Sequence, residues 1–197
     1  ATVLTGNFIK QGGNALGSVV RMGAADSQAV EFLSGGQRGL RIEYPVNPFA
    51  PNFFRAPNIL GGHHGNTVGV GVEGATIAGG QDNHVRDSFG IVGGGYGNAA
   101  GDGAGTVDDR SYATVVGGSG NFASGEYSTI AGGGVNNASG TRSTISGGYF
   151  NAASGLSSTV AGGQFNTAAG DYSFAAGSGA KGQHAGTWIW ADDSNNA

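Results

Sequence analysis

Ser128-Thr129-Ile130-Ala131-Gly132-Gly133-Gly134-Val135-Asn136-Asn137-Ala138-Ser139-Gly140 is followed by two close copies: Ser143-Thr144-Ile145-Ser146-Gly147-Gly148-Tyr149-Phe150-Asn151-Ala152-Ala153-Ser154-Gly155 and Ser158-Thr159-Val160-Ala161-Gly162-Gly163-Gln164-Phe165-Asn166-Thr167-Ala168-Ala169-Gly170. Ala113-Thr114-Val115-Val116-Gly117-Gly118-Ser119-Gly120-Asn121-Phe122-Ala123-Ser124-Gly125 precedes them, and a degenerate fifth copy runs from Ser173 to Lys181. The branched apolar residue recurs at 115, 130, 145 and 160 and an Asn at 121, 136, 151 and 166, a period of 15.

So short a unit leaves few folds open. Each Gly disfavours helix by about 1 kcal/mol against Ala, and helical solenoid repeats need roughly 33 residues to fold back on themselves. The spacing predicts an all-β, parallel β-roll or β-solenoid with one coil per 15 residues. A strand at Ser128 to Ala131 turns at the glycines, a second strand follows around Asn136 to Ser139, and Gly140 turns again. Coils then stack about 4.8 Å apart. Gly supplies positive φ at the corners, and the Asn takes a left-handed or turn conformation with stacked side-chain hydrogen bonds. Alternation sends Ile130 and Ser128 inward and Thr129 and Ala131 outward. One branched residue per coil is a thin core against the cost of ordering a Gly-rich backbone, so the chain is expected to gain core by oligomerising.

Composition narrows the function classes. Gly makes up 42 of 197 residues, about three times the usual share, without a collagen period of three. Charged residues are 11% and the net charge is −4, so no basic stripe exists to neutralise phosphates and nucleic acid is excluded as partner. Cys is absent, which removes disulfides and thiolate metal sites. No apolar run approaches 18 residues, so no membrane insertion by this segment is expected. The start at Ala1, without a signal-peptide pattern, reads as a piece of something longer, and the C-terminal Asp192-Asp193-Ser194-Asn195-Asn196-Ala197 stops without a signal.

Three regions are expected. Residues 1–57 lack the repeat: Gln28 to Leu33 and Arg38 to Tyr44 read as a β-hairpin about Gly35-Gly36, with Leu40, Ile42 and Tyr44 alternating against Arg41 and Glu43. An isolated hairpin is marginal in water, so three copies are expected to interweave. Pro45, Pro48, Pro51 and Pro57 punctuate an extended arm whose Phe49, Phe53 and Phe54 cover the first coil. Residues 58–186 are the array, starting with Ile59-Leu60-Gly61-Gly62 and Ile77-Ala78-Gly79-Gly80, 18 apart. Val92 to Val115 spans 23 residues, which places a protruding loop insertion at 102–109, and solenoid insertions often sit on the binding face. Residues 187–197 are a C-terminal cap, built on Trp188, Ile189 and Trp190, followed by a truncated tail.

The Ser-x-x-x-Gly then Asn-x-Ala-x-Gly pattern resembles the head repeats of YadA-like trimeric autotransporter adhesins, with one residue more per coil. Ser128-Thr129-Ile130-Ala131-Gly132-Gly133 and Gly170-Asp171-Tyr172-Ser173-Phe174-Ala175-Ala176-Gly177 resemble bacterial and phage tail-fibre-domain proteins, as does the hairpin. The resemblance covers about Asn58 to Asp193 and implies a homotrimer in an extracellular fibre, at a cell surface or on a virion or injection system.

Sites for chemistry are few. Gly69-Val70-Gly71-Val72-Glu73-Gly74 matches G-x-G-x-x-G, but another coil follows it where a dinucleotide site needs a helix. His63-His64 are read as surface or turn histidines facing opposite ways, with a metal at a trimer axis the weaker alternative. Asp102, Asp108 and Asp109 are read as a solvated loop, since their spacing lacks the alternation of calcium loops, with a calcium site the weaker alternative. No G-x-S-x-G or H-E-x-x-H occurs and no carboxylate pair is arranged for glycoside hydrolysis, so the chain is read as non-enzymatic and without cofactor. The Thr column at 76, 114, 129, 144 and 159 is read as outer-face β-propensity over ice binding, and the Asn137-Ala138-Ser139 sequon as chance.

What remains is rows. Gly120, Val135, Phe150 and Phe165 share one coil position, and Tyr127, Arg142, Ser157 and Tyr172 another. Phe150, Phe165, Tyr149, Tyr127, Arg142 and Tyr172, with Asp102, Asp108 and Asp109, form the candidate surface for a cell-surface glycan or protein receptor; packing against an adjacent subunit is the competing role for the rings. The expectation is a rigid homotrimeric segment of an adhesin head or tail fibre, with a ligand-free structural filament or spacer as the alternative.

Overall fold

The computed structural model describes residues 29–44 and 56–192, and among the described residues every regular element is a strand. β1 (Val30–Ser34) and β2 (Gln37–Glu43) pair antiparallel across Gly35 and Gly36, both at positive φ. β2 then pairs antiparallel with β3 (Asn58–Gly61). After β3 come β4 (Thr67–Val68), β5 (Thr76–Ile77), β6 (His84–Val85), β7 (Ile91–Val92), β8 (Ala99–Ala100), β9 (Thr114–Val115), β10 (Phe122–Ala123) and β11 (Thr129–Ile130). The last eight are β12 (Asn137–Ala138), β13 (Thr144–Ile145), β14 (Ala152–Ala153), β15 (Thr159–Gln164), β16 (Thr167–Ala168), β17 (Phe174–Ser178), β18 (Lys181–Gly182) and β19 (Trp188–Ala191).

From β3 onward the odd-numbered strands form one sheet and the even-numbered ones, from β4, form the other. Both are parallel, and each residue sits over its counterpart one coil away: Thr129 over Thr144, Ile130 over Ile145, Ala138 over Ala153. The chain is a parallel β-solenoid of about nine coils. β2 is tied to the first coil by Arg38, whose Nη2 donates to the carbonyls of His63 (3.0 Å) and Asn66 (2.8 Å).

The core follows from alternation. Val115, Ile130, Ile145 and Val160 point inward from the odd sheet and meet Ala123, Ala138, Ala153 and Ala168 from the even sheet, all fully buried. A large residue opposite a small one lets the sheets close tightly, and each buried Ile or Val is worth about 1.5–3 kcal/mol. Thr129 is half-buried and Ala131 exposed, as the pattern requires. The interior is sealed within one chain, so the thin core is completed without residues from another copy.

Two polar columns flank it. Asn136 Nδ2 donates to Gly132 O (3.1 Å) and Gly148 O (3.0 Å), while its Oδ1 accepts the Asn151 N–H (3.0 Å). The same pattern links Asn98, Asn121, Asn151 and Asn166. The stacked hydrogen bonds expected of the Asn are present, but its conformation is not the expected one: the left-handed residue is the one before it, Val135, Phe150 or Phe165. The second column is Ser128, Ser143, Ser158 and Ser173, buried with Oγ unpartnered. Ala75 and Ala113 hold the same place in earlier coils. A buried hydroxyl without a partner costs free energy, so Ser143→Ala is expected to leave the thermal midpoint unchanged or raise it by a few degrees. A fall of several degrees would show that the hydroxyl is bonded.

Three expectations change at the ends and at the insertion. Leu60, not Ile59, pairs with Ile77 and fills the inward column, because the first interval is one residue shorter than the Ile59–Ile77 spacing implies. Trp188 and Trp190 point outward, 76% and 73% exposed, while Ile189 packs on the core; adjacent strand residues face opposite ways, so the Trp pair cannot share the capping role. The insertion does not simply protrude: Val107 packs against the core and its carbonyl accepts the Ser88 N–H (2.6 Å). Phe49, Phe53 and Phe54 lie outside the described residues.

Candidate functional site

Each coil has two bends, and at both kinds of bend several coils carry bulky side chains on left-handed backbone. At the bend entering the odd sheet stand Phe89, Tyr112, Tyr127, Arg142, Ser157 and Tyr172, with φ between 51° and 66°. At the other bend stand Val135, Phe150 and Phe165, with φ between 53° and 57°. This conformation costs an L-residue about 1–2 kcal/mol. It persists because it turns that N–H against the general direction of the ladder. Most backbone N–H groups donate to the following coil, as Thr129 does to Ser143 O, whereas Arg142 N–H donates back to Glu126 O (2.8 Å) and Phe150 N–H back to Gly134 O (3.1 Å). Neighbouring coils therefore over-determine the strained residue.

The stacking repeat places these side chains in rows. Phe89 stacks on Tyr112 (centroids 5.2 Å apart, 8° between planes) and Tyr112 on Tyr127 (5.0 Å, 1°). The Arg142 guanidinium lies 5.9 Å from the centre of the Tyr127 ring, within cation–π range. Ser157 interrupts the row, so Tyr172, 66% exposed, stands apart from Tyr127 and Arg142. At the other bend Phe150 stacks on Phe165 (5.8 Å, 16°), and Tyr149 meets both edge-on (4.5 and 6.4 Å). The proposed receptor residues thus form two separate patches on opposite bends. Phe89 and Tyr112 were missed, although their spacing of 23 equals that of Val92 and Val115.

The outer face of the odd sheet differs in kind. Its two outward columns are Ile59, Thr76, Ile91, Thr114, Thr129, Thr144, Thr159, Phe174 and Trp188, and, beside them, Ala78, Gly93, Val116, Ala131, Ser146, Ala161, Ala176 (itself buried) and Trp190. None of these positions carries a charge. The Thr residues expected on an outer face are there, half-buried.

His63 and His64 are not on a strand and do not face apart: their rings lie 4.0 Å from each other. Gly69 to Gly74 forms an irregular turn of the second coil with Val72 buried inside, and no helix follows among the described residues. Of the loop acids, Asp102 and Asp109 come together over Asp87, while Asp108 stays outside that group. No helix of the described residues is long and apolar enough to cross a membrane. No protein-family model matches the chain, and no curated protein matches it.

Proposed function

We propose that this solenoid is a non-enzymatic segment of an extracellular trimeric fibre, of adhesin-head or tail-fibre type, giving a rigid scaffold for binding a surface glycan or protein. The observation that carries the reading is the uncharged outer face of the odd sheet, which runs the length of the stack from Ile59 to Trp188. A long strip without charge is what a second and third copy can cover in register, since most rungs from Thr114 to Ala161 repeat a Thr beside a small side chain. Three equivalent sets of bend aromatics would then lie along the outside and bind with avidity. The N-terminal β1–β2 pair would join its counterparts at the trimer axis.

Sedimentation of the purified chain at micromolar concentration is expected to give three times the monomer mass. Thr144→Lys together with Ala131→Glu, both on that face, are expected to yield a folded monomer with an unchanged circular dichroism spectrum. A native chain that sediments as a folded monomer would sink the fibre reading. The ligand-free spacer is the second reading, favoured by the ring-on-ring stacking at both bends, which already gives those side chains a partner. Glycan-array binding that vanishes with Phe150→Ala and Phe165→Ala excludes the spacer, and absence of any binding by the trimer selects it.

A further inference from the structure

The eight-residue insertion does something that no other bend of the array does: it folds carboxylates onto a buried carboxylate. Asp87 lies inside the coil at 1% exposure. Its Oδ2 accepts the Asp102 N–H (2.9 Å), and its Oδ1 is enclosed without a hydrogen-bond partner. Asp102 stands one period above Asp87, and the insertion brings Asp109 back beside both. One carboxylate oxygen from each of the three lies within 4.8 Å of the others.

Such a group is costly by itself. Burial pushes the Asp87 carboxyl up from its ordinary range, the charges of Asp102 and Asp109 push in the same direction, and the backbone donors of Asp102 and Gly103 offset part of this. Arg110, with Nε 3.5 Å from Asp102 Oδ2, is the only cation of an ion pair that reaches the group among the described residues. It touches Asp102 on one oxygen and leaves Asp87 Oδ1 unanswered.

We propose that Asp87, Asp102 and Asp109 bind a calcium ion that pins the 102–109 loop to the solenoid. A calcium–oxygen distance of about 2.3–2.6 Å allows two ligands of one ion to stand up to about 4.6–5.2 Å apart, and the three oxygens, within 4.8 Å of one another, are close enough to share it. Loop carbonyls and water complete the six to eight ligands this cation takes. Magnesium loses water reluctantly and is usually held through one or two carboxylates, so a site offering three suits it less well. Asp108 is the internal control, because it belongs to the same loop and stands outside the cluster.

Isothermal titration of calcium chloride into the full chain, stripped with EDTA and dialysed, tests this. One ion per chain with a Kd of about 10⁻⁴–10⁻³ M is expected, in the range of extracellular modules. About 10 mM calcium should raise the thermal midpoint by roughly 3–10 °C, and magnesium by clearly less. Asp87→Asn and Asp109→Asn should each weaken binding at least tenfold, while Asp108→Asn leaves it intact. Asp109 is exposed, so its variant decides the question even if Asp87→Asn fails to fold. No heat and no midpoint shift would overturn the proposal. So would unchanged affinity in Asp109→Asn, or a magnesium response equal to that of calcium. None of these outcomes depends on whether the chain is a trimer.

Discussion

Gly148→Ala is expected to lower stability by more than about 3 kcal/mol, a loss of at least roughly 6 °C in the thermal midpoint. Gly148 has φ 94°, and a Cβ built there would overlap the carbonyl oxygen of Gly163 in the next coil and crowd Asn151 Nδ2 at 2.8 Å. The conformation alone costs an L-residue about 1–2 kcal/mol, and forcing extra volume into a packed interior typically adds 1–3. The obstacle is backbone, which cannot swing aside as a side chain would. Gly117→Ala is the matched control: its Cβ would meet nothing within 4 Å, and its φ is not left-handed. That change is expected to be neutral or to stabilise by about 0.4–1 kcal/mol. Thermal and urea unfolding of both variants checks the pair. Equal, small effects would mean the coils are not spaced by glycine.

Asn136→Ala is expected to cost about 3 kcal/mol. The side chain answers Gly132 O, Gly148 O and Asn121 Oδ1 with its amide and the Asn151 N–H with its oxygen. Alanine leaves Gly132 O and the Asn151 N–H without that partner, at roughly 1–3 kcal/mol for each one that water does not reach, while Gly148 O keeps the Gly134 N–H and Asn121 Oδ1 keeps the backbone N–H of residue 136. Asn137→Ala, one residue on and exposed, should stay within about 0.5 kcal/mol of the native chain. The contrast between adjacent Asn residues separates a ladder effect from any general intolerance of the bend, and urea midpoints measure it. Indistinguishable midpoints would refute the ladder.

The period and the inward column were legible because each is set by one residue type at one spacing. Ile130, Ile145 and Ser128 fall where alternation puts them. The Asn hydrogen bonds were legible too, but not their geometry. Left-handed backbone is expected at Gly or Asn; Gly133, Gly148 and Gly163 do have positive φ, but so do Val135, Phe150, Tyr127 and Arg142, residues whose own preferences oppose it. The reason is collective: the neighbouring coils fix where the reversed N–H must point, and single-residue propensity carries no trace of that. Ile59 and Leu60 were ambiguous because two adjacent branched residues satisfy the pattern equally, and only pairing with Ile77 decides. For the candidate surface, the row at Tyr127 and Arg142 followed from spacing, but its extension to Phe89 and Tyr112 was hidden by the longer interval across the insertion. Asp87 was overlooked although it precedes Asp102 by one period; nothing in a lone Asp announces that it lies inside.

The Asn column has a consequence for how such a chain can grow. Asn121 offers its oxygen to the Asn136 N–H, and Asn136 offers the same to Asn151, so the top of every coil is a mould for the bottom of its own duplicate. Copying or losing one whole period in the gene leaves every surviving junction as it was and changes the reach of the rod by a single step of about 4.8 Å. Length can therefore drift in whole units without a new junction having to be invented, while a fractional period has to be looped out of the stack, as the insertion between Val92 and Val115 is, before the columns resume.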